Sequence, residues 1–583
     1  MKKIIYRAMI ALAGVILFNC SDTFLDRPPQ GALDETSLKS EKGVNALLVS
    51  AYSALDGWTD SWGAGAPWPQ AGSNWIFGDV TGGDAYKGSD PGDQAEIVPI
   101  EKHQGLPTNG YFNSKWLTVY NGVARTNATL NLLSTLTDAQ ISAANKGKIE
   151  AESRFLRAHF HFEAKKMWNM VPYIDDAIAK AGGSNPAAFK VENNIDIWPK
   201  IEEDMKFAAD NLPATMGEVG RANKWAAKAY LAKIYMFQSK LALAKPILDD
   251  VIANGVTADG KKYGLHDNFH DNFNAETKNG KESVFAMQAS VNDGDADGQN
   301  GNWGDILNFP YTGGPGQCCG FDQPSQNLVN AYKTTATGLP LLDTFNDADV
   351  TNDQGIASTA AFTPYAGTLD PRLDWTIGRR GIPYLDWGKH PGAAWIRDQA
   401  YAGPYSPIKR VFYKSQSKSL STSTGWAQGP NANNYTLIRF AEVLLWRAEI
   451  AASEGDESTT RNLVNQIRNR AKTGKKVKDG TANAANYSVE PYTTIAAADL
   501  VKVVRFERRL ELAMEGHRFF DLVRWGVADQ VMNAYFATEG NKRGYLKGST
   551  FVKGKNEYFP IPQDQIIQSS ISNAPTLKQN PGY

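Results

Sequence analysis

YTLIRFAEVLLWRAEIAASEGD at residues 435–456, followed by STTRNLVNQIRNRA at 458–471, decides the fold. Apolar residues recur at three- and four-residue steps through both stretches, the period of an amphipathic helix. Together they read as a helical hairpin. A second pair repeats the design, with WAAKAYLAKIYMFQS at 225–239 leading into LALAKPILDDVIANG at 241–255. Ala226, Ala229 and Ala232 let one helix approach its neighbour, while Tyr230, Ile234 and Phe237 fill the gaps. This alternation is similar to tetratricopeptide helix pairs.

Outward from these pairs, helical periodicity also marks Glu41–Leu55, Phe112–Leu136, Glu150–Met170, Ile195–Asn211, Leu500–Glu515 and Phe519–Phe536, and the helix of the 435–471 hairpin is expected to begin at Thr436. Between residues 255 and 435 the text changes to Gly, Asp, Asn, Pro and Thr, with short strand-like runs such as Ser283–Val291. FPYTGGPGQCCGF and GRRGIPYLDWGKHPGAAW are punctuated too often to be helices. A second loop-rich stretch covers 56–109. The expectation is a mainly α protein: tetratricopeptide-like helical pairs form a scaffold, with long loop-rich regions and a few short strands on one side. A length prior would split the chain into several domains. The pattern reads instead as one body over 20–583, with an N-terminal helical part at 20–254, a loop-rich ligand side at 255–435 and a C-terminal helical part at 436–583.

The N-terminus reads as a secretory signal over 1–19. Lys2, Lys3 and Arg7 precede an apolar run from Ala8 to Phe18, too short for a membrane span of ~20 residues. Leu17-Phe18-Asn19-Cys20 resembles a lipobox, which makes Cys20 the expected lipidation site; ordinary secretion is the alternative. Net charge is −1, so no basic field invites nucleic acid. With 15 Trp and 23 Tyr the chain carries many flat rings, which serve a core or a sugar equally well.

If Cys20 is acylated, only Cys318 and Cys319 remain, adjacent and outside the reducing cytoplasm. A vicinal disulfide between them would be strained, and such strain persists where the surroundings over-determine it, often at a binding site. Gly313, Gly314 and Gly316 just before it would permit close approach of a ligand. The competing reading is two reduced, buried thiols. In the first loop, Trp75 and Tyr86 are candidates for stacking on sugar rings, and Asp79 and Asp84 for accepting from paired hydroxyls. The second loop region adds Trp303, Arg379, Tyr384, Trp387 and Trp395. Each of these rings has a competing role, pinning a long loop to the body.

Other clusters read as structural. In ERRLELAMEGHRFFDLVRW, helical spacing would pair Arg508 with Glu511, Arg518 with Asp521 and Asp521 with Arg524, each three apart. His159 and His161, two apart on a helix, point to different faces. His266 and His270 are four apart but lack a zinc-protease pattern. Asp293, Asp295 and Asp297 reproduce the opening of a calcium loop, yet the twelfth-position Glu is missing, so they form at most a weak calcium candidate. No nucleophile elbow, phosphate loop or zinc signature appears, and no catalytic residue or cofactor is expected.

Several segments carry a resemblance in order along the chain. CSDTFLDRPPQG follows the leader; AESRFLRAHFHFEAKKMW stands at 151–168; the 435–471 hairpin comes next, then ERRLELAMEGHRFFDLVRWG at 507–526. YFPIPQDQII and the closing LKQNPGY complete the series. Together they resemble the SusD/RagB family of nutrient-binding outer-membrane lipoproteins. The resemblance implies a surface-exposed protein, lipid-anchored and facing the cell exterior, that captures oligo- or polysaccharide. It would act without catalysis, as a lid on a TonB-dependent SusC-like barrel. Some members handle peptides, which leaves a peptide ligand as one alternative; a surface glycoside hydrolase with paired carboxylates is the other.

Overall fold

A computed structural model of the chain describes residues 38–58, 66–295, 298–316, 318–422 and 429–583. The leader at 1–19, Cys20 and Asp297 lie outside the described residues.

The helices begin where the sequence supplies caps. Ser40 accepts from the Gly43 amide to start α1 (Glu41–Ser53), and Asn109 caps α2 (Gly110–Ser134). Ser142 caps α3 (Ala143–Trp168). Pro199 stands in the first turn of α4 (Trp198–Asn211), where its missing amide costs nothing. Asn223 opens α5 (Lys224–Phe237), which turns directly into α6 (Leu241–Asn254). Each of these six packs against the next in order. The array then continues into α7 (Phe440–Ser453), which packs on α6, and α7 carries both α8 (Glu457–Thr473) and α9 (Leu500–Leu512). The two hairpins are therefore neighbours in one stack, although residues 255–439 separate them in the chain. Ala226, Ala229 and Ala232 are fully buried at the close approach, with Tyr230 and Ile234 filling beside them.

The insertion leaves and re-enters the frame through one antiparallel pair. β2 (Ser283–Met287) runs beside β4 (Tyr435–Arg439), matching Ser283 with Arg439 and Met287 with Tyr435. The expected helix from Thr436 thus starts only at Phe440, because Tyr435–Arg439 is extended to meet β2. A second pair, β1 (Ala85–Gly88) with β3 (Phe321–Pro324), ties the first loop stretch to the insertion. The expected helix Phe519–Phe536 is divided into α10 (Arg518–Arg524) and α11 (Ala528–Glu539) around Gly526, which has φ +68°. One continuous apolar core includes Trp75, Trp168 and Trp446 and runs through the frame and both loop regions.

A buried ion web locks the insertion to the frame. Arg372 from the insertion reaches Asp370, Glu507 and Glu511 at 2.7–3.0 Å. Arg439 from β4 reaches Glu282, Glu511 and Glu515, while Arg468 and Arg470 from α8 reach Glu507 and Glu511. Burial alone would raise Glu511, but Arg470, Arg439 and Arg372 outweigh it and hold the carboxyl well below its usual range. The charged helix is structural, as its spacing implied, but its pairs are not the local ones. Arg508 reaches Asp521 at 2.6 Å and Glu442 at 2.8 Å, rather than Glu511. Asp521 does pair with Arg524, at 2.9 Å. Arg518 is not paired with Asp521, which Arg508 and Arg524 already occupy.

Candidate ligand-binding face

The first loop stretch folds inward. Trp75 is fully buried in a π-helical turn, Trp75–Val80, and its indole donates to the Gly304 carbonyl at 3.2 Å. That turn sits tightly against the chain at Gly516, since a β-carbon on Gly78 would meet the Gly516 backbone. Asp79 accepts from the Gly516 amide at 2.8 Å and faces Arg410 at 3.4 Å. Asp84 pairs with Arg509 at 3.0 Å, and the buried Tyr86 hydroxyl donates to Glu539. These four candidates are therefore corrected: their rings and carboxylates are satisfied inside the protein and present nothing to a ligand. The same holds for Trp303, which is 6% exposed, donates to the Gly298 carbonyl at 2.9 Å and tilts against Trp58. Arg379 forms a fork with Asp374 at 2.6 and 2.9 Å, and the buried Tyr384 hydroxyl donates to the Pro407 carbonyl.

Three candidates keep partial exposure: Trp387, Trp395 and Cys318. Trp387 and Trp395 lie over a small satellite core of Phe309, Tyr384, Ile408, Val411 and Phe412. The Trp387 indole donates to the Phe412 carbonyl at 2.9 Å, and Trp395 meets Tyr384 and His390 edge-on, with centroids 5.5 and 5.1 Å apart. The Trp395 ring rests on the backbone of Gly313 and Gly314, which have φ +70° and +54°. The Tyr311 amide donates to the Trp395 carbonyl at 2.8 Å, and the Thr312 hydroxyl to the Ala394 carbonyl at 2.8 Å. The same turn then enters the Cys318–Cys319 disulfide, with Cα atoms 3.7 Å apart and Cys319 at φ +88°. Gly320 accepts from the Ser89 amide and delivers the chain into β3. The vicinal pair is thus oxidised, with Cys319 buried and Cys318 at the edge.

Sequence reasoning missed the polar rim. Arg397 pairs with Asp90 at 2.8 Å and Asp93 at 2.6 Å, and its guanidinium lies 5.2 Å from the centroid of Tyr311. The buried Lys87 holds the acidic loop in place through the carbonyls of Asp90 and Asp93 at 2.6 and 2.5 Å. Burial lowers the Lys87 ammonium to about 8. The one available signal was the Asp-Pro-Gly-Asp turn at 90–93, which reads like any acidic loop. The face therefore combines a partly open indole, a disulfide edge, a phenol and paired charges, a mixture suited to a hydroxylated ring.

The remaining clusters behave as packing. Asp79, Asp305 and Asp322 gather round Arg410 out of solvent, and burial pushes the Asp322 carboxyl up to about 8. His159 accepts or donates at Tyr230 (2.8 Å), and His161 accepts from the Ile174 amide. His270 is buried and stacks on Trp375. Asp293 accepts from Ser290 and Asn300, and Asp295 from the Gln299 amide, as turn-closing groups.

Paired helices in one continuous stack, with a long insertion folded over one side, define a tetratricopeptide-like scaffold carrying a loop face. The chain belongs to the SusD family: the family's model matches residues 281–583. A second model, described as starch-binding associating with outer membrane, matches residues 23–236. A SusD-like protein of Bacteroides ovatus is 25% identical over 626 aligned positions, taking in 98% of this chain and 97% of that one. Among solved structures, a laminarin-binding SusD-like protein matches with TM-score 0.64 at 22% identity, over 93% of this chain and 100% of that one. Surface glycan-binding protein A from Bacteroides thetaiotaomicron, in complex with laminarihexaose, matches with TM-score 0.61 at 19% identity, over 92% and 99%.

Proposed function

We propose that this chain is a cell-surface lipoprotein that captures oligo- or polysaccharide on its loop face and passes it to a TonB-dependent, SusC-like outer-membrane barrel. It binds without catalysis, tethered to the outer membrane through a lipid on Cys20. The observation that carries this reading is the Trp395 platform, resting on Gly313 and Gly314 a few residues before the disulfide in the chain, in a member of the SusD family. The names of the laminarin-binding relative and the laminarihexaose complex support a glycan as ligand. The family description supports an outer-membrane setting. Against hydrolysis by the charged helix, Glu511 and Glu515 are held ionised by arginine and lysine, and the raised Asp79 and Asp322 are shut away from solvent around Arg410.

Affinity electrophoresis against a polysaccharide panel, laminarin included, tests the reading. At least one glycan should retard the protein, and Trp395→Ala should abolish that retardation. Failure of every glycan, or retardation untouched by both Trp395→Ala and Trp387→Ala, rejects it. Sustained release of reducing ends by purified protein would restore the hydrolase. Co-purification of a barrel from mild detergent tests the transporter.

A further inference from the structure

We propose that the cavity between α9 and α11 is a second binding site, for an acidic saccharide whose carboxylate is taken by Arg505 and Arg518. The cavity has a volume of about 800 Å³, and neither Trp387 nor Trp395 lines it. That volume is in the range of small-molecule sites.

The ion web leaves two guanidiniums over. Around this cavity Asp84 is taken by Arg509 at 3.0 Å, and Asp521 by Arg508 and Arg524. Glu449 accepts a fork from Arg524 at 2.7 and 2.8 Å and also the Trp525 indole at 2.9 Å. Among the described residues neither Arg505 nor Arg518 forms an ion pair, since the acids nearest them already serve other arginines, and the Nε of each is buried without a hydrogen-bond partner. The Tyr535 hydroxyl on the same wall is buried and unpartnered too. Three unsatisfied donors belong to residues that line one cavity, and leaving them so is costly unless an acceptor is brought to them. Burial first, then the neighbouring Arg509, lowers Arg518 to about 9, a strain that an incoming anion relieves. Among the described wall residues the carboxylate is that of Asp343, already neutralised by Lys502 at 2.9 Å.

The remaining wall selects a ring rather than a bare ion. Trp525 lies between two guanidiniums, Arg505 at 4.8 Å and Arg524 at 5.0 Å from its ring centroid, and Phe345 and Phe506 continue the apolar surface. Arginine forks match planar carboxylates, and aromatic walls take the apolar face of a pyranose. The choice of a sugar rests on the proposed function; the demand for a carboxylate does not.

Calorimetry on the full chain would use galacturonate, glucuronate and mannuronate trimers, with their methyl esters as controls. At least one acid should bind, its ester should not, and added salt should weaken the binding. Arg505→Gln and Arg518→Gln should each weaken it by about tenfold or more, while Trp395→Ala leaves it unchanged. Because Arg518 forms no ion pair, Arg518→Gln should melt at or above the parent temperature; Arg505→Gln also gives up its contact with Trp525. No heat from any acid up to about 10 mM, equal heat from an ester, or a lowered melting temperature in Arg518→Gln overturns the proposal. If no acid binds and Arg518→Gln loses a co-purifying barrel instead, the cavity takes an acidic protein segment and the proposal also fails. Loss of laminarin-type retardation is read at Trp395 and leaves this result standing or falling separately.

Discussion

The indole of Trp395 fills the space that a side chain on Gly314 would need: a β-carbon there would sit 2.7 Å from Cη2, and one on Gly313 would meet Nε1 closer still. Both glycines are also left-handed, so a side chain is strained at either place. Gly314→Ala should therefore push Trp395 off its seat and weaken glycan retardation by about tenfold or more, short of the complete loss expected of Trp395→Ala. Affinity electrophoresis of the two variants side by side checks this. Unchanged retardation in Gly314→Ala would show that the ring's position does not matter.

The disulfide is tested by counting thiols. In a form lacking residues 1–20, denatured without reductant, neither Cys318 nor Cys319 should react with a thiol reagent; after reduction both should. Cys318→Ser should then weaken glycan binding several-fold, because the turn beneath Trp395 runs directly into the pair. Two reactive thiols in the unreduced chain would sink the oxidised platform.

Glu511 is the most heavily shared carboxylate of the ion web. Glu511→Gln leaves Arg372, Arg439 and Arg470 short of a counter-charge in a region that water does not reach. The expected loss is about 3–5 kcal/mol, the cost of breaking a buried pair from one side. A lowered urea midpoint measures it. Binding by the fraction that remains folded should be unchanged, since Glu511 is buried in the ion web that locks the insertion to the frame.

Acid should destabilise the fold through its histidines. Burial lowers His103 to about 4 and His159, His161, His270 and His390 to about 3, against 6.5 for a free side chain. A depressed folded value means that the unfolded chain takes up protons first. The neutral rings therefore stabilise the fold fully above pH 6.5, and that contribution is lost as pH falls towards 3. Each should give a slope of about 1.4 kcal/mol per pH unit across the window. Urea titrations from pH 7 to 4.5 should show this decline, and His390→Gln should flatten it by about one proton's worth. A stability flat over that range would contradict the buried neutral state.

The frame was legible because helix periodicity survives in any tertiary setting. The alanines of 226–232 and the 440–471 hairpin announced both shape and partner type. The ends were less so: Tyr435–Arg439 carries enough apolar residues to continue a helix, and only its pairing with β2 makes it extended. The family could be read from ordered motifs along the chain. The site could not, because Trp75 or Tyr86 in a glycine-rich stretch reads alike whether the loop lies on the surface or folds into the core. Arg508 illustrates the same limit for charge. Spacing offered Glu511 three residues on, whereas tertiary packing supplied Asp521 and Glu442. What could be read was the oxidised cysteine pair, since adjacent cysteines leave little freedom to the backbone between them; that Trp395 sits on Gly313 and Gly314 could not be read.

The contact between α6 and α7 has a consequence in time. Every earlier joint of the stack closes between helices near in sequence, but this one must wait for the chain through residue 453. Closing so long a loop is slow, and until it happens the exposed side of α6 has no partner. The first six helices form a half-built wall whose final course is laid only after the whole insertion has emerged. Until that joint closes, proteases would find the unfinished edge of the wall at α6.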